Sequence, residues 1–412
     1  MTVAEPRATA VLDYIEAQRD ALIQLACDLV ATPSINPPGS EQAVAALLQQ
    51  RMAALGLPPS EVVAAEPQRP NLVVRLRGTG GGPTLLLNGH SDTKPVSATD
   101  RVLWRTDPLE PTIRDGQLYG LGATDMKGGV AAMVYAAAAL ARLDPPPAGD
   151  VLLVLTADEE ATTGLGARYL VDHYPVVADA GLVAEPNGIH HDFENLPLFC
   201  RGTFYFKVKV YGTQTHASIS DQVLAINAST KMAWVLWRMS RDLRLTHEPH
   251  PLCPLGPTVT PGVLVSGGLY YGVHPGYAEF AVDIRLVPGM THEQVQADVE
   301  AFLDQLKAED PELRTELEIV GGSIQAMLTG DEPFVQALLA ASERILGRRP
   351  PFGAYPAFTD AYHFHARRGI PTVPAYGPGL LTLAHGSNES VGIERIVEAA
   401  KIYALAALDY LA

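Results

Sequence analysis

Short, almost wholly apolar runs recur through the first half of the chain: "NLVVRL" (Asn71–Leu76), "TLLLNGH" (Thr84–His90), "VLLVLT" (Val151–Thr156) and "GLVAE" (Gly181–Glu185). Runs of this length, closed by turn residues, predict strands buried on both faces. Helical patterns lie between them. Residues 12–56 read as helices broken at "ATPSINPPGS" (Ala31–Ser40), where the prolines and the Asn-Pro pair mark an ordered loop. An Ala-rich helix is predicted from about Met126 to Leu143. Apolar strands alternating with helices predict an α/β layered sheet.

The pattern changes near residue 198. "GTFYFKVKVYG" (Gly202–Gly212) alternates apolar and polar strictly, as an antiparallel strand with one wet face does. A helix is predicted over about Gln222–Met239, then strands at "GVLVSGG" (Gly262–Gly268) and "YAEFAVDIRL" (Tyr277–Leu286). A helix at "THEQVQADVEAFLDQL" (Thr291–Leu306), N-capped by Thr291, and a strand at "RTELEIV" (Arg314–Val320) follow. The order β-α-β-β-α-β is ferredoxin-like. Residues 198–322 therefore read as a domain inserted between 1–197 and 323–412, where the α/β pattern resumes with "PFVQALLAASERIL", "PTVPAY" and a last helix from about Val391.

A length of 412 residues exceeds one ordinary core, and 47% hydrophobic with 18% charged residues excludes a disordered chain. The net charge of −16 argues against nucleic acid or an anionic membrane as partner. Three scattered cysteines, Cys27, Cys200 and Cys253, form no CxxC, so neither a disulfide framework nor a thiolate zinc site is expected. The amino terminus carries acids and no apolar signal-type stretch, and "AAMVYAAAALA" (Ala131–Ala141) is too short to span a bilayer. These features predict a cytoplasmic protein.

The chemistry-bearing residues gather where strands end. "NGHSDTKP" sets His90 and Asp92 at i and i+2, on one strand face. A carboxylate behind a histidine fixes its tautomer and raises its basicity as a ligand; a turn histidine bonded to an aspartate is the plain alternative. "YGLGATDMKGG" puts Asp125 before the Ala-rich helix among Gly120, Gly122, Gly128 and Gly129, either as an N-cap or as a ligand on a backbone closely approached by other groups. "TADEEATTG" sets Glu159 and Glu160 side by side after a strand, "VAEPNG" ends another on Glu185, and "AHGSNESV" carries His385 before the last helix. Adjacent carboxylates repel unless something compensates. In α/β sheets ligands collect outside the carboxyl ends of the strands. Two histidines and three carboxylates with no cysteine suit two divalent ions such as Zn²⁺, Co²⁺ or Mn²⁺, leaving one glutamate of the pair to act as a base.

With these pieces and "THAS" and "DIRLVPG" in the inserted segment, the chain from about Leu29 onward resembles the M20 metallopeptidases, the group of acetylornithine deacetylases, succinyl-diaminopimelate desuccinylases, aminoacylases and glutamate carboxypeptidases. The resemblance implies an α/β, zinc-peptidase-like three-layer catalytic domain with an inserted ferredoxin-like α+β lid and dimerisation domain. It implies His90 and Glu185 as ligands of one metal, Glu160 and His385 of the other, and Asp125 bridging both through a cis Asp125–Met126 peptide. Glu159 would be the general base and Asp92 the partner of His90. His216 would hold the oxyanion, entering the other subunit's site in dimeric relatives. Arg285 would bind a substrate carboxylate, for which a bidentate guanidinium is suited. Bland readings stand beside the last two: a surface-loop histidine and a strand-face salt bridge.

The expected cofactor is a pair of ions, Zn²⁺ first, acting through a metal-bridged hydroxide on a small-molecule amide. The leading expectation is a deacylase of N-acyl amino acids, working as a homodimer. The alternative is a dipeptidase or carboxypeptidase on the same scaffold. A non-catalytic binding protein on a retired enzyme fold is disfavoured by the intact ligand set. Glu185 tilts the reading toward deacylases, because aspartate at its place goes more with peptidases. Two departures bear on substrate. Gly272 stands where an asparagine is frequent, followed by His274. Lys94 replaces a common valine, as a rim charge or a contact for an acidic substrate.

Overall fold

Four parallel strands, Asp150–Thr156, Thr84–His90, Ala180–Val183 and Thr372–Val373, lie side by side in that order in a computed structural model, which describes residues 5–324 and 326–412. Residues 1–4 and 325, which belong to the expected catalytic segments, lie outside the described residues. Two further strands, Asn71–Leu76 and Glu61–Val63, complete a six-stranded sheet beside Asp150–Thr156. The apolar runs produce this because both faces are covered. Leu86, Leu152, Val154 and Val73 pack against Leu170 and Val171 of the helix Ala167–His173 and Phe364 of the helix Ala361–Arg368. Opposite, Gly89 faces Val130 and Met133 of the helix Gly128–Ala141. That helix is buried from Gly128 to Leu140, under the last helix, Ile393–Tyr410. The result is three layers, helix on sheet on helix.

Register decides where chemistry gathers. His90 pairs with Thr156 and Asn88 with Val183, so two strands finish level and the third two residues earlier, releasing Ser91–Thr93, Ala157–Glu160 and Ala184–Glu185 at one edge. The helix Gly128–Ala141 approaches this edge closely. A Cβ on Gly129 would lie 2.4 Å from the Ala184 carbonyl oxygen, so only glycine fits.

The chain divides into two compact units: Met1–Cys200, Ala326–Tyr355 and Thr359–Ala412 in one, Arg201–Gln325 and Pro356–Phe358 in the other. The second holds an antiparallel sheet in the order Thr258–Gly267, Tyr277–Leu286, Gly202–Tyr211, Arg314–Ser323, with the helices Ala228–Asp242 and His292–Glu309. This is the expected ferredoxin-like order, and Thr291 caps the second helix by accepting the Gln294 N–H at 3.2 Å. The first helix starts later than the sequence predicts. Asn227 accepts the Thr230 N–H at 3.0 Å, and that cap begins the helix at Ala228 instead of near Gln222. The strand Thr258–Gly267 is an edge with mostly exposed residues, among them Val263, Leu264 and Val265. "PTVPAY" yields only Thr372–Val373, because prolines bracket it. The three cysteines are buried and unpaired. Among the described residues no helix is long and apolar enough to cross a membrane.

Candidate metal centre

The strand ends supply His90, Glu160 and Glu185, and the Ala123–Lys127 turn and a turn past Leu380 add Asp125 and His385, giving two triads: His90, Asp125 and Glu185, and Asp125, Glu160 and His385. In each, one ligand atom per residue lies within 4.8 Å of the others. Asp125 belongs to both. Its Oδ1 is 3.0 Å from His90 Nε2 and its Oδ2 is 3.2 Å from His385 Nε2. Glu185 Oε1 lies 3.3 Å from His90 Nε2, and Glu160 Oε2 lies 3.0 Å from His385 Nε2. All are buried except the His385 side chain, which is 48% exposed.

Local backbone sets these atoms. Gly122 takes φ +76° before a single wide turn, Ala123–Lys127, that carries Asp125, and the Asp125–Met126 peptide is cis. His385 sits at φ +59° in a turn that Asn388, at φ +63°, ties to the 97–105 segment by accepting the Arg105 N–H and donating to the Leu103 carbonyl.

Electrostatics describe a cluster short of positive charge. Burial raises the Glu185 carboxyl, with the Asp125 charge adding to it, to about 8. Burial also lifts Glu159 well above the ordinary range, helped by Glu185, Glu160 and Asp360 and opposed by His90. Burial opposes charge on both histidines, yet Glu185 and Asp125 hold His90 well above its usual value, and Asp125 and Glu160 raise His385 to about 10. Burial works against ionisation of Asp125 too, but the two imidazoles hold its carboxyl far below the usual range. Glu160 Oε1 is buried with no hydrogen-bond partner among the described residues. A buried carboxylate oxygen left unsatisfied beside convergent imidazole and carboxylate donors, with no thiolate, fits a hard or borderline divalent cation.

Asp92 meets His90 through both its backbone and its side chain. His90 Nδ1 meets the Asp92 backbone carbonyl at 3.0 Å, while the nearer carboxylate oxygen stands at 3.5 Å. The carboxylate also accepts the backbone N–H groups of Glu159, at 3.2 Å, and Glu160, at 3.1 Å, because the turn after Thr156 curls over it. Lys94 contacts the Glu160 carbonyl and lies 3.3 Å from Glu160 Oε2.

His216 and Arg285 lie in the second unit. His216 is exposed, and its Nδ1 accepts the Ser218 N–H at 3.2 Å. Arg285 donates from Nε and Nη2 to both carboxylate oxygens of Asp283, at 2.9 Å each, on the strand Tyr277–Leu286. His274 is buried with Nδ1 at 2.9 Å from the Thr213 carbonyl. Gly272 has φ +80° and open space where a Cβ would stand.

Several supporting residues escape the sequence reading. Glu389 is buried and accepts the N–H groups of Gly122, Thr124 and Asp125, each at 2.9 Å. Its sequence signal is its place in "AHGSNESV", four residues after His385 and directly before the strand Ser390–Gly392. Asn36 donates to Asp92 Oδ2 at 2.8 Å. Arg69 donates to Glu41 at 2.6 and 2.9 Å and to Asp158 at 3.1 Å, fixing the residue before Glu159 at φ +61°. Asn36 belongs to the Asn-Pro pair that marks the ordered loop at Ala31–Ser40, and Arg69 stands in no recognisable pattern.

Residues 86–409 match the sequence profile of Peptidase family M20/M25/M40. The chain belongs to that family of metal-dependent hydrolases. It is 27% identical over 418 residues to the N-formyl-4-amino-5-aminomethyl-2-methylpyrimidine deformylase of Bacillus subtilis strain 168, covering 94% of both chains. It is also 27% identical over 392 residues to the succinyl-diaminopimelate desuccinylase of Rhodospirillum centenum, covering 92% of this chain and 95% of that one. Human carnosine dipeptidase 1 shares the fold, with a TM-score of 0.77 at 20% identity over 98% of each chain. The family resemblance and the fold class expected of it are borne out.

Proposed function

We propose that this hydrolase removes the acyl group from an N-acylated amino acid, with two divalent ions held by His90, Asp125 and Glu185 and by Asp125, Glu160 and His385. The observation that carries the reading is the pair of triads joined through the two oxygens of Asp125, with Glu159 adjoining Glu160. Zn²⁺ suits the donor set, with Co²⁺ or Mn²⁺ as substitutes. Bound ions supply Lewis-acid polarisation of a carbonyl and acidify water.

Glu159 is the group that moves the proton. Its carboxyl accepts one from the attacking water and passes it to the leaving nitrogen. Burial raises its pKa, which supports this, since a carboxyl held above its ordinary range keeps a proton more readily between two transfers. Asp92, accepting both glutamate amides, holds the backbone that carries Glu159 and Glu160. His216 accepts at Nδ1, so Nε2 carries the N–H that would hold the oxyanion. Arg285 keeps its Nη1 donors for a substrate carboxylate while Asp283 orients the plane. The exposed edge Thr258–Gly267 supports a homodimer in which two copies of that strand pair about a two-fold axis.

Two relatives are named as a deformylase and a desuccinylase, which favours acyl removal over peptide cleavage. The test is the initial rate after Zn²⁺ or Co²⁺ loading on N-formyl, N-acetyl, N-succinyl and N-carbamoyl amino acids beside dipeptides. Preference for an acyl amino acid is expected. Preference for dipeptides overturns the deacylase reading and turns attention to Gly272 and His274.

A further inference from the structure

The two triads differ in one respect. Among the described residues no lysine or arginine nitrogen lies within 4.0 Å of the Asp125 or Glu185 carboxylates. Glu160 has such a neighbour: Lys94 Nζ stands 3.3 Å from Oε2, the same oxygen that faces His385, and also contacts the Glu160 carbonyl. The Lys94 side chain is 36% exposed, that of Glu160 only 3%. A flexible ammonium therefore reaches in from solvent and places its charge on a buried metal-ligand oxygen.

We infer that Lys94 is the resident counter-ion of the Glu160 site, and that a divalent cation must displace it to bind there. This rests on the metal reading above. An ammonium and a dication cannot share one carboxylate oxygen without repulsion, and that repulsion is strong where burial limits screening. The all-buried site of His90, Asp125 and Glu185 has no such competitor. Lys94 thus separates the affinities of the two sites, so that the Asp125, Glu160 and His385 site fills only at higher free metal. Being partly exposed, Lys94 can swing outward without a core rearrangement.

Calorimetric titration of demetallated protein with Zn²⁺, backed by equilibrium dialysis and elemental analysis, tests this without measuring turnover. Wild type is expected to show one tight and one weaker class of site. Lys94→Met should tighten the weaker class about tenfold or more, as removal of a competing unit charge implies, and leave the tight class unchanged. Lys94→Arg keeps the charge and should keep the weaker class weak. Thermal melts followed by circular dichroism check that both variants fold. Two equal classes in wild type, no change in Lys94→Met, or equal tightening in Lys94→Arg each overturn the inference and leave the deacylase reading intact. Failure of every form to bind a second ion overturns both.

Discussion

The carboxylate of Asp92 accepts the backbone N–H of Glu160 at 3.1 Å, so a residue two places beyond His90 holds the backbone of the loop that leaves the neighbouring strand. The same carboxylate holds the Glu159 amide and receives Asn36. Asp92→Asn replaces one acceptor oxygen by a donor that faces N–H groups. Metal affinity or kcat/KM should fall about 10–100-fold, as for other groups that orient ligands. Calorimetric titration and steady-state kinetics check it.

Glu159→Gln keeps the side-chain volume and removes the proton carrier. The rate on the best substrate should fall about 10²–10⁴-fold, with bound metal unchanged by elemental analysis. A variant as active as wild type in every assay would revive the non-catalytic reading of the fold.

Glu389 offers a test of how the Asp125 turn is held. Its carboxyl is pushed up to about 8 by burial and by Asp125, against three N–H groups that favour its charge. Glu389→Leu leaves the amides of Gly122, Thr124 and Asp125 without their acceptor, at a cost on the order of 3 kcal/mol or more. Glu389→Gln keeps one acceptor and should lose clearly less. Urea unfolding monitored by circular dichroism separates the two.

Acid stability should carry the mark of Glu194, whose carboxyl is held down to about 2 by the His190 N–H, then by the His190 imidazole and the Ile189 N–H, with burial opposing. The folded value lies below the unfolded one, so the folded state binds fewer protons between them. The stabilisation is complete above about pH 4.5 and is lost as pH falls toward 2. Glu194→Gln should lose less stability than wild type across that window, measured by thermal melts from pH 5 to 2.

The exposed edge strand makes its own prediction. Light scattering at micromolar concentration should give twice the chain mass, and Leu264→Lys, which puts a charge on that edge, should shift it toward the monomer. A wild-type monomer would sink the role of His216 across subunits.

Much of this protein is determined by local sequence. Short apolar runs closed by turn residues mark strands covered on both faces, and the switch to strict alternation at Gly202 announces a sheet with one wet side. The acids and histidines after those runs fall at strand ends because apolar residues stop there. The glycines around Asp125 mark the tight backbone that Gly122 and Gly129 display. What only the tertiary structure decides is pairing across sequence distance. Register sets His90 level with Thr156, and that brings the Asp92 carboxylate to the amides of Glu159 and Glu160 as well as to His90. Glu389 reaches the Asp125 turn, and Arg69 and Asn36 reach Asp158 and Asp92, through folds of chain with no periodicity to read. Lys94 looks like a rim charge in a string of letters. Its contact with Glu160 exists because the loops after two adjacent parallel strands leave the sheet on the same side. Periodicity encodes which residues are buried; which buried polar atoms meet is settled by register and loop closure.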